Sequence, residues 1–283
     1  MTSRRFGIST HLFHDHRLVR DHVLQIASHG FQTIELSAAR SHFDYHDDDA
    51  IDALAEWLSE SRLELHSMHA PTYETNKKGH RTGALSTASG DEGRRTAAVA
   101  AVRAALQVAR RVPLRVLVVH LGVISDEASS SRDNRPDAAR RSLEDIVGYA
   151  SEVGVRVAIE VIPNALSEPE ALVRLIEEDL EGIDVGVCLD FGHAHLMGDI
   201  GDAIETLSGH LWTTHVHDNR GQRDEHLAPF AGTIDWDRAI METQKIGYDD
   251  VWMLELAGGH DPVGGLQRSM KARERLEQAF LTL

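Results

Sequence analysis

Residues 211–236 read LWTTHVHDNRGQRDEHLAPFAGTIDW, an apolar segment that turns into a polar loop. The first half predicts a buried strand, and because strand side chains alternate between two faces, His215 and His217 share one face. The loop that follows carries Asp224 and His226 two residues apart. Imidazole and carboxylate groups are common ligands of divalent metals, so this strand end is a candidate metal site.

Segments of this kind recur along the chain, and each is followed by a stretch with helical features. Strands are predicted at residues 6–10, 33–36, 63–69, 115–119, 156–160, 185–190, 211–217 and 251–254. The clearest helices are predicted at residues 15–28, 48–61, 92–110, 136–151 and 265–283, and Asp235 is a predicted N-cap. Eight strand-then-helix units in 283 residues are typical of a (β/α)8 barrel, which we expect to form one α/β domain over residues 1–283. A doubly wound open sheet is the alternative.

Polar residues at the strand ends favour the barrel. A barrel gathers the C-terminal ends of its strands on one rim, and barrel active sites are built there. Seven predicted strands carry, at or beside their C-terminal ends, a residue able to bind metal or move a proton. These residues are Glu35, His69, His120, Glu160, Asp190, His215 and Glu255.

The period of two along a strand also predicts the barrel interior. If Glu160 and Asp190 point inward, then Ala158 and Cys188, two positions earlier, face the interior as well. The residues between them, such as Leu189, then face the outer helices.

Composition predicts a soluble cytoplasmic protein. No apolar run approaches the roughly 18 residues needed to span a bilayer, and the start MTSRRFGIST lacks the apolar core of a signal peptide. The single cysteine, Cys188, excludes an internal disulfide, which fits a reducing compartment. The net charge of −16 opposes binding of nucleic acid, although bound divalent ions would neutralise part of it.

Seven ordered motifs resemble the xylose isomerase-like barrel superfamily. They are HAP at residues 69–71, VVHLG ending at Gly122, IEVIPN around Glu160, CLDFGH ending at His193, HVHDN at His215, DEH at residues 224–226 and LEL around Glu255. That superfamily includes sugar isomerases and epimerases, inosose and dehydroshikimate dehydratases, and the type IV AP endonucleases. The resemblance covers nearly the whole chain and implies a small sugar-like substrate. It leaves a homo-oligomer open, because rim loops in this superfamily often meet a neighbour.

The epimerase-like members hold one divalent ion with a Glu, an Asp, a His and a second Glu. By motif, these ligands correspond here to Glu160, Asp190, His215 and Glu255. The resemblance further implies a substrate contact for His193, three residues after the Asp. Arg220 is the nearest match to an arginine that contacts substrate in some epimerases.

The endonuclease-like members hold three zinc ions with nine ligands, and this chain has a residue for each. They are His69, His120, Glu160, Asp190, His193, His215, Asp224, His226 and Glu255. The surrounding motifs differ, with HLG in place of HPG, EVIPN in place of Glu-Asn-Thr, and HVHDNR in place of HLND followed by Ser or Lys. Together with the charge, these departures make DNA a disfavoured substrate.

The residue types suit proton transfer at a carbon beside a carbonyl. A divalent ion held by such ligands stabilises an enediolate, and Glu160 and Glu255 are placed to act as base and acid on opposite faces of the carbon. Mixed His and carboxylate ligands suit Zn or Mn, with Mg or Co as alternatives. We therefore predict a metal-dependent isomerase or epimerase of a sugar, a sugar phosphate or a polyol. The alternatives are a dehydratase, a multinuclear zinc phosphodiesterase and a non-catalytic sugar-binding barrel.

Several polar residues have a second interpretation. Glu35 either binds substrate hydroxyls or caps its strand, and His217 either contacts substrate or orients a metal ligand. His11 and its neighbours near the first strand are explained as solvated loop histidines. The polar segment at residues 72–90 is predicted to be a loop and a candidate lid. Tyr73 in it is either a lid residue over a sugar or, as the endonuclease-like members imply, an aromatic residue presented to DNA.

Overall fold

The centre of the molecule is a closed barrel of eight parallel strands. The computed structural model describes residues 4–75, 80–124, 130–180 and 182–282. Its strands, in chain order, are β1 (Phe6–Ser9), β2 (Thr33–Ser37), β3 (Glu64–His69), β4 (Tyr73–Thr75), β5 (Arg81–Ala84), β6 (Val116–Val119), β7 (Arg156–Glu160), β8 (Val185–Asp190), β9 (Leu211–Val216) and β10 (Trp252–Leu254). The barrel order is β1-β10-β9-β8-β7-β6-β3-β2, which confirms the predicted (β/α)8 architecture.

Helices connect the barrel strands. They are α1 (Arg20–Ser28), α2 (Asp48–Ser61), α3 (Glu92–Leu106), α4 (Ser130–Asp133), α5 (Pro136–Glu152), α6 (Pro169–Arg174), α7 (Phe191–Met197), α8 (Ile200–Thr206), α9 (Trp236–Lys245) and α10 (Pro262–Thr282). Short 3-10 turns cover Thr10–Phe13 and Gln107–Arg110, and a π turn covers Leu175–Asp179. No helix in these residues is long and apolar enough to span a bilayer.

Aspartate side chains cap the N-termini of several of these helices. The predicted N-cap Asp235 is confirmed, because its Oδ1 accepts a hydrogen bond from Arg238 N at 3.1 Å. Asp190 begins α7 in the same way and accepts from His193 N at 2.7 Å. A cap of this kind contributes about 1 kcal/mol to helix stability. At Asp190 it also fixes the carboxylate where β8 meets the barrel rim.

Two separate apolar cores lie on the two sides of the sheet. A small cluster inside the barrel contains Val116, Val118, Ala158 and Cys188. The large cluster between the strands and the helices contains Ile159 and Leu189, the residues that alternate with them. The predicted alternation is therefore confirmed on β7 and β8. It places Glu160 and Asp190 directly above the interior cluster, at the rim.

The segment predicted as a loop at residues 72–90 contains an antiparallel hairpin of β4 and β5. Leu85 N donates to Thr72 O at 2.9 Å and closes the base of the hairpin. The sequence prediction is wrong here because the side chains of these strands are largely exposed. Without a buried face, the strands show no apolar alternation to recognise.

Candidate metal centre

Four residues predicted as ligands meet at the barrel rim. Glu160, Asp190, His215 and Glu255 each offer a ligand atom, and these atoms lie within 4.8 Å of one another. All four residues are buried. We call them the primary cluster. Strand register explains the meeting, because Asp190 pairs with His215 across β8 and β9, and Met253 of β10 pairs with His215 on its other side.

The primary cluster has the donors for a cation but no Lys or Arg within it. Three buried carboxylates are costly without a compensating positive charge. His215 Nδ1 lies 3.3 Å from Glu160 Oε1 and 3.4 Å from Glu255 Oε2, yet it makes no hydrogen bond among the described residues. An unpartnered imidazole nitrogen that faces three carboxylates fits a divalent metal ion.

The pKa shifts in the primary cluster also indicate that it favours a positive charge. Burial opposes the charged form of His215, but Cys188 and the carboxylates of Glu35 and Glu255 raise the pKa of His215 well above its usual value. Burial would raise the pKa of Glu160, yet the neighbouring imidazoles of His120 and His215 hold it well below its usual range. The carboxylates therefore favour a proton on His215 when no other cation is bound.

Glu35 lies beneath His215 and is fully buried. His215 Nε2 donates to Glu35 Oε2 at 3.0 Å, and Ser67 Oγ donates to the same oxygen at 2.8 Å. Glu35 does not line the cavity described below. The structure therefore places this carboxylate against a candidate ligand, in a position suited to orienting the imidazole, and away from the cavity.

Two further histidines share one oxygen of Glu160. His69 Nε2 and His120 Nε2 each lie 3.1 Å from Glu160 Oε2. Their rings meet edge to face, with centroids 4.9 Å apart. His69 Nδ1 donates to Ala70 O at 2.8 Å, which leaves Nε2 directed at the carboxylate. The structure therefore brings both predicted histidines to the edge of the primary cluster.

A second cluster contains His193, His217, Asp224 and His226, whose ligand atoms also lie within 4.8 Å of one another. Asp224 Oδ2 lies 2.9 Å from His226 Nε2 and 3.3 Å from His193 Nε2. The rings of His217 and His226 stack with centroids 4.0 Å apart. Three imidazoles and one carboxylate are a donor set suited to zinc.

Asp190 connects the two clusters. Its Oδ2 accepts from His217 Nε2 at 3.0 Å and lies 3.4 Å from His193 Nδ1. The sequence left two roles open for His217, contact with substrate or orientation of a metal ligand. In the structure His217 is fully buried and lies within the second cluster. The period of two along β9 already indicated this position, because it gives His217 the same face as His215.

The loop that carries Asp224 and His226 contains a residue in the left-handed backbone conformation. His226 has a φ of 45°, in the left-handed region that residues other than glycine rarely occupy. Its Nδ1 donates to Glu255 O at 2.9 Å, and Asp218 and Leu227 exchange backbone hydrogen bonds at 2.8 Å. These contacts attach the loop to the end of β10 and hold His226 over the rim.

His11 is a site residue that sequence reasoning missed. Its Nδ1 lies 3.4 Å from Glu255 Oε1, and its ring lies 4.8 Å from that of His226. Its side chain is 23% exposed, so the interpretation as a solvated loop histidine is wrong. The 3-10 turn Thr10–Phe13 turns the chain back over the rim directly after β1. The sequence feature that could have indicated this position is that His11 directly follows the strand predicted at residues 6–10.

Arg220 lies outside this arrangement. Its guanidinium is exposed and donates to Glu225 Oε1 at 2.6 Å. It does not line the cavity, so the structure does not bring it to the candidate site. Asp224 and His226 of the same loop line the cavity, while Arg220 remains at the surface.

A cavity of about 180 Å³ opens above both clusters. Glu160, Glu255, His193, Asp224 and His226 line its inner end. Residues of the hairpin and its base, including Thr72, Tyr73 and Arg81, line it as well. Pockets for drug-sized ligands measure about 300–1,000 Å³, so this cavity suits a smaller molecule.

Comparison with known proteins identifies the family of barrels to which the chain belongs. A family model described as xylose isomerase-like TIM barrel matches residues 23–277. An uncharacterized protein of Methanocaldococcus jannaschii is 28% identical over 266 residues, which are 92% of this chain and 86% of that protein. An inosose isomerase of Bacillus velezensis is 24% identical over 243 residues, which are 81% of this chain and 79% of that protein.

Solved structures of two other proteins superimpose on this barrel. A D-tagatose 3-epimerase-like protein superimposes with a TM-score of 0.79 and 26% identity, over 98% of this chain and 97% of that chain. The IOLI protein with a bound zinc atom superimposes with a TM-score of 0.74 over 99% of this chain and 100% of that chain. At 17% identity, the second comparison shows a shared fold.

Proposed function

The chain belongs to the xylose isomerase-like TIM barrel family, and we propose that it is a metal-dependent isomerase or epimerase of a sugar-like carbonyl compound. The observation that carries the proposal is the primary cluster of Glu160, Asp190, His215 and Glu255, whose three carboxylates and one imidazole offer ligand atoms within 4.8 Å of one another. The D-tagatose 3-epimerase-like structure and the inosose isomerase support the reaction class.

The primary cluster would hold the ion through one atom of each residue. A bound divalent ion would supply Lewis acidity, which draws electrons from a substrate carbonyl and makes the neighbouring carbon more acidic. Zn or Mn suits this donor set best, with Mg or Co as alternatives. The bound zinc of the IOLI protein supports the choice of a divalent metal.

Glu160 and Glu255 would exchange protons with the substrate carbon. Both carboxylates line the cavity, and burial, which by itself raises their pKa, is outweighed by nearby imidazoles that hold it well below the usual range. Both are therefore ionised and able to accept a proton. His11 beside Glu255, and His69 and His120 beside Glu160, are placed to receive that proton or to return it.

Cavity size and charge support a small substrate. The cavity of about 180 Å³ is lined mostly by histidines and carboxylates, which hydrogen-bond hydroxyl and carbonyl groups. A dehydratase would use the same residues to remove the proton and would then eliminate water. The products therefore separate a dehydratase from an isomerase.

Solvent hydrogen exchange tests the proposal. We expect the metal-loaded protein, incubated in deuterium oxide with a panel of ketoses and inososes, to exchange a carbon-bound hydrogen of at least one of them. Glu160→Gln and Glu255→Gln should each abolish that exchange, while Glu56→Gln on the exposed face of α2 should not. Exchange that persists in both site variants would contradict the assigned roles. Tight sugar binding without exchange or any product would indicate a non-catalytic binding barrel.

The second cluster favours one other function, a multinuclear phosphodiesterase. Two or three ions that clamp the attacking and leaving oxygens are typical of that chemistry. His69 and His120 at one side of Glu160, and His193, Asp224 and His226 at the other side, offer the additional ligands. Cleavage of abasic DNA by the zinc-loaded protein, lost together with zinc in His226→Ala, would support it. The net charge of −16 opposes it.

A further inference from the structure

Arg81 is the only lysine or arginine that lines the cavity, among the residues that the structure describes. Its Cζ lies 3.9 Å from the centroid of the Tyr73 ring. The hairpin holds these two side chains together, because Arg81 begins β5 and pairs with Thr75, while Tyr73 pairs with Ala84. The guanidinium is therefore positioned over the cavity by the fold of the hairpin.

The stacked arrangement leaves the hydrogen-bonding edge of Arg81 available. A guanidinium that stacks on an aromatic ring uses its face, and its N–H groups remain directed outward in the guanidinium plane. Other arginines of this acidic protein pair with carboxylates, as Arg111 does with Asp52 at 3.0 Å and Arg5 with Glu64 at 2.8 Å. Arg81 makes no ion pair with any carboxylate in the described part of the chain.

The two ends of the cavity differ in chemistry. Its inner end carries the carboxylates of Glu160, Asp224 and Glu255, each with an imidazole against it, whereas Arg81 stands at the hairpin without a carboxylate partner among the described residues. The guanidinium would therefore attract a negative group on a substrate. Arginine binds phosphate and carboxylate through two parallel N–H donors, which adds both affinity and orientation.

We propose that the substrate carries an anionic group, a phosphate ester or a carboxylate, that binds Arg81 at the hairpin while its carbonyl end lies at the primary cluster. The assignment of the carbonyl end rests on the proposed function. The anionic end rests on the place of Arg81 in the cavity lining, its contact with Tyr73 and the lack of a carboxylate partner for it among the described residues. A substrate bound in this orientation has its reacting carbons at the primary cluster, away from the hairpin.

Titration calorimetry on the manganese-loaded protein tests the proposal with three probes: D-fructose, D-fructose 6-phosphate and D-fructuronate. We expect at least one charged ketose to bind 10-fold or more tightly than D-fructose. The phosphate and carboxylate probes distinguish the two anions. Arg81→Ala should remove this preference and leave the affinity for D-fructose within about 2-fold, because the neutral sugar has no group for the guanidinium. Arg81→Lys should keep part of the preference, because the charge remains.

Arg103 provides a matched control. Its Cζ lies 4.3 Å from the Tyr149 ring on the outer helices α3 and α5, away from the cavity. Arg103→Ala removes the same kind of stacked cation and should leave all three affinities unchanged. Equal binding of charged and neutral ketoses by the wild type would overturn the proposal. A preference that survives in Arg81→Ala would also overturn it, because the anion would then bind elsewhere.

These outcomes are separable from the proposed reaction. An anion preference that depends on Arg81, without any solvent exchange of substrate hydrogen, would uphold the anion site and contradict the isomerase assignment. Solvent exchange of a ketose hydrogen, together with a preference for charged ketoses that is absent or that survives in Arg81→Ala, would uphold the isomerase assignment and contradict the anion site.

Discussion

His215 donates from Nε2 to Glu35 Oε2 across 3.0 Å, and this contact determines which nitrogen faces the primary cluster. A carboxylate only accepts hydrogen bonds, so the proton lies on Nε2 and Nδ1 is left for a metal ion. Because both residues are fully buried, no water competes for the bond. Glu35 on β2 thereby controls a ligand that is 180 positions away in sequence.

Glu35→Gln should weaken metal binding. The glutamine amide can turn its NH₂ toward His215, which permits the other tautomer and places a proton on the ligand nitrogen. Loss of such a supporting contact typically lowers metal affinity by about 10- to 100-fold. Competition with a fluorescent chelator measures the affinity, and Glu56→Gln, on an exposed helix surface, is the control. Unchanged affinity in Glu35→Gln would show that this contact does not orient the ligand.

His11→Ala should slow solvent exchange of the substrate hydrogen by about 100-fold or more, in the range expected when an acid–base group is lost. His11 Nδ1 contacts Glu255 at 3.4 Å and supports the carboxylate proposed to move the proton. Metal content should stay unchanged, because His11 lies outside the primary cluster. His16→Ala removes an exposed histidine of the same segment and should have no effect. Equal rates in the two variants would exclude His11 from the reaction.

The metal-free protein should lose stability as pH rises from about 6.5 to above 9. Burial lowers the pKa of His69 and of His226, but Glu160 raises that of His69 to about 9 and Asp224 raises that of His226 to about 9. A group whose pKa is raised on folding stabilises fully below its unfolded pKa, and this contribution disappears as pH passes the folded value. The loss should be on the order of 1–3 kcal/mol in the free energy of unfolding.

Urea unfolding across this pH range measures the effect. Saturating metal should flatten or reverse the trend, because metal ligands bind in their deprotonated form. His69→Asn should reduce the slope of the metal-free protein. A metal-free protein whose stability rises over the same range would contradict the pKa shifts.

Gly192→Ala should destabilise the protein and disturb the second cluster. A methyl group at this first turn of α7 would overlap the imidazole of His217. Such overpacking typically costs about 1–3 kcal/mol, measured as the change in free energy of unfolding. Gly148→Ala in α5 is the matched control, because no atom outside its own helix lies within 4 Å of the new methyl group. A wild-type stability for Gly192→Ala would show that His217 is free to move.

The sequence predicted the barrel and the rim position of the primary cluster because both depend on local patterns, whereas the choice of these four residues as metal ligands came from the family resemblance. Each ligand follows its own apolar strand, and parallel strands in a barrel end on one rim. Glu160, Asp190 and His215 could therefore be placed together without knowing any contact between them. The predicted helix start at residue 15 was too early, since α1 begins at Arg20.

The remaining site residues depend on contacts between distant segments. His11 reaches Glu255 only because β1 and β10 are neighbours in the closed barrel. Glu35 reads as a rim residue, yet the register between β2 and β3 shifts beside it and its carboxylate lies against His215. Arg81 gave no signal, because its relation to Tyr73 requires a hairpin whose strands are too exposed to be recognised.

Metal content per chain tests the central claim most directly. We would purify the wild type and Glu160→Gln in parallel, dialyse both against buffer with a weak chelator, and count metal by inductively coupled plasma mass spectrometry. The account predicts about one divalent ion per wild-type chain and a loss of at least 10-fold in Glu160→Gln. Absence of metal in the wild type, after loading with Zn, Mn, Co or Mg, would contradict it, and so would equal occupancy in the two proteins.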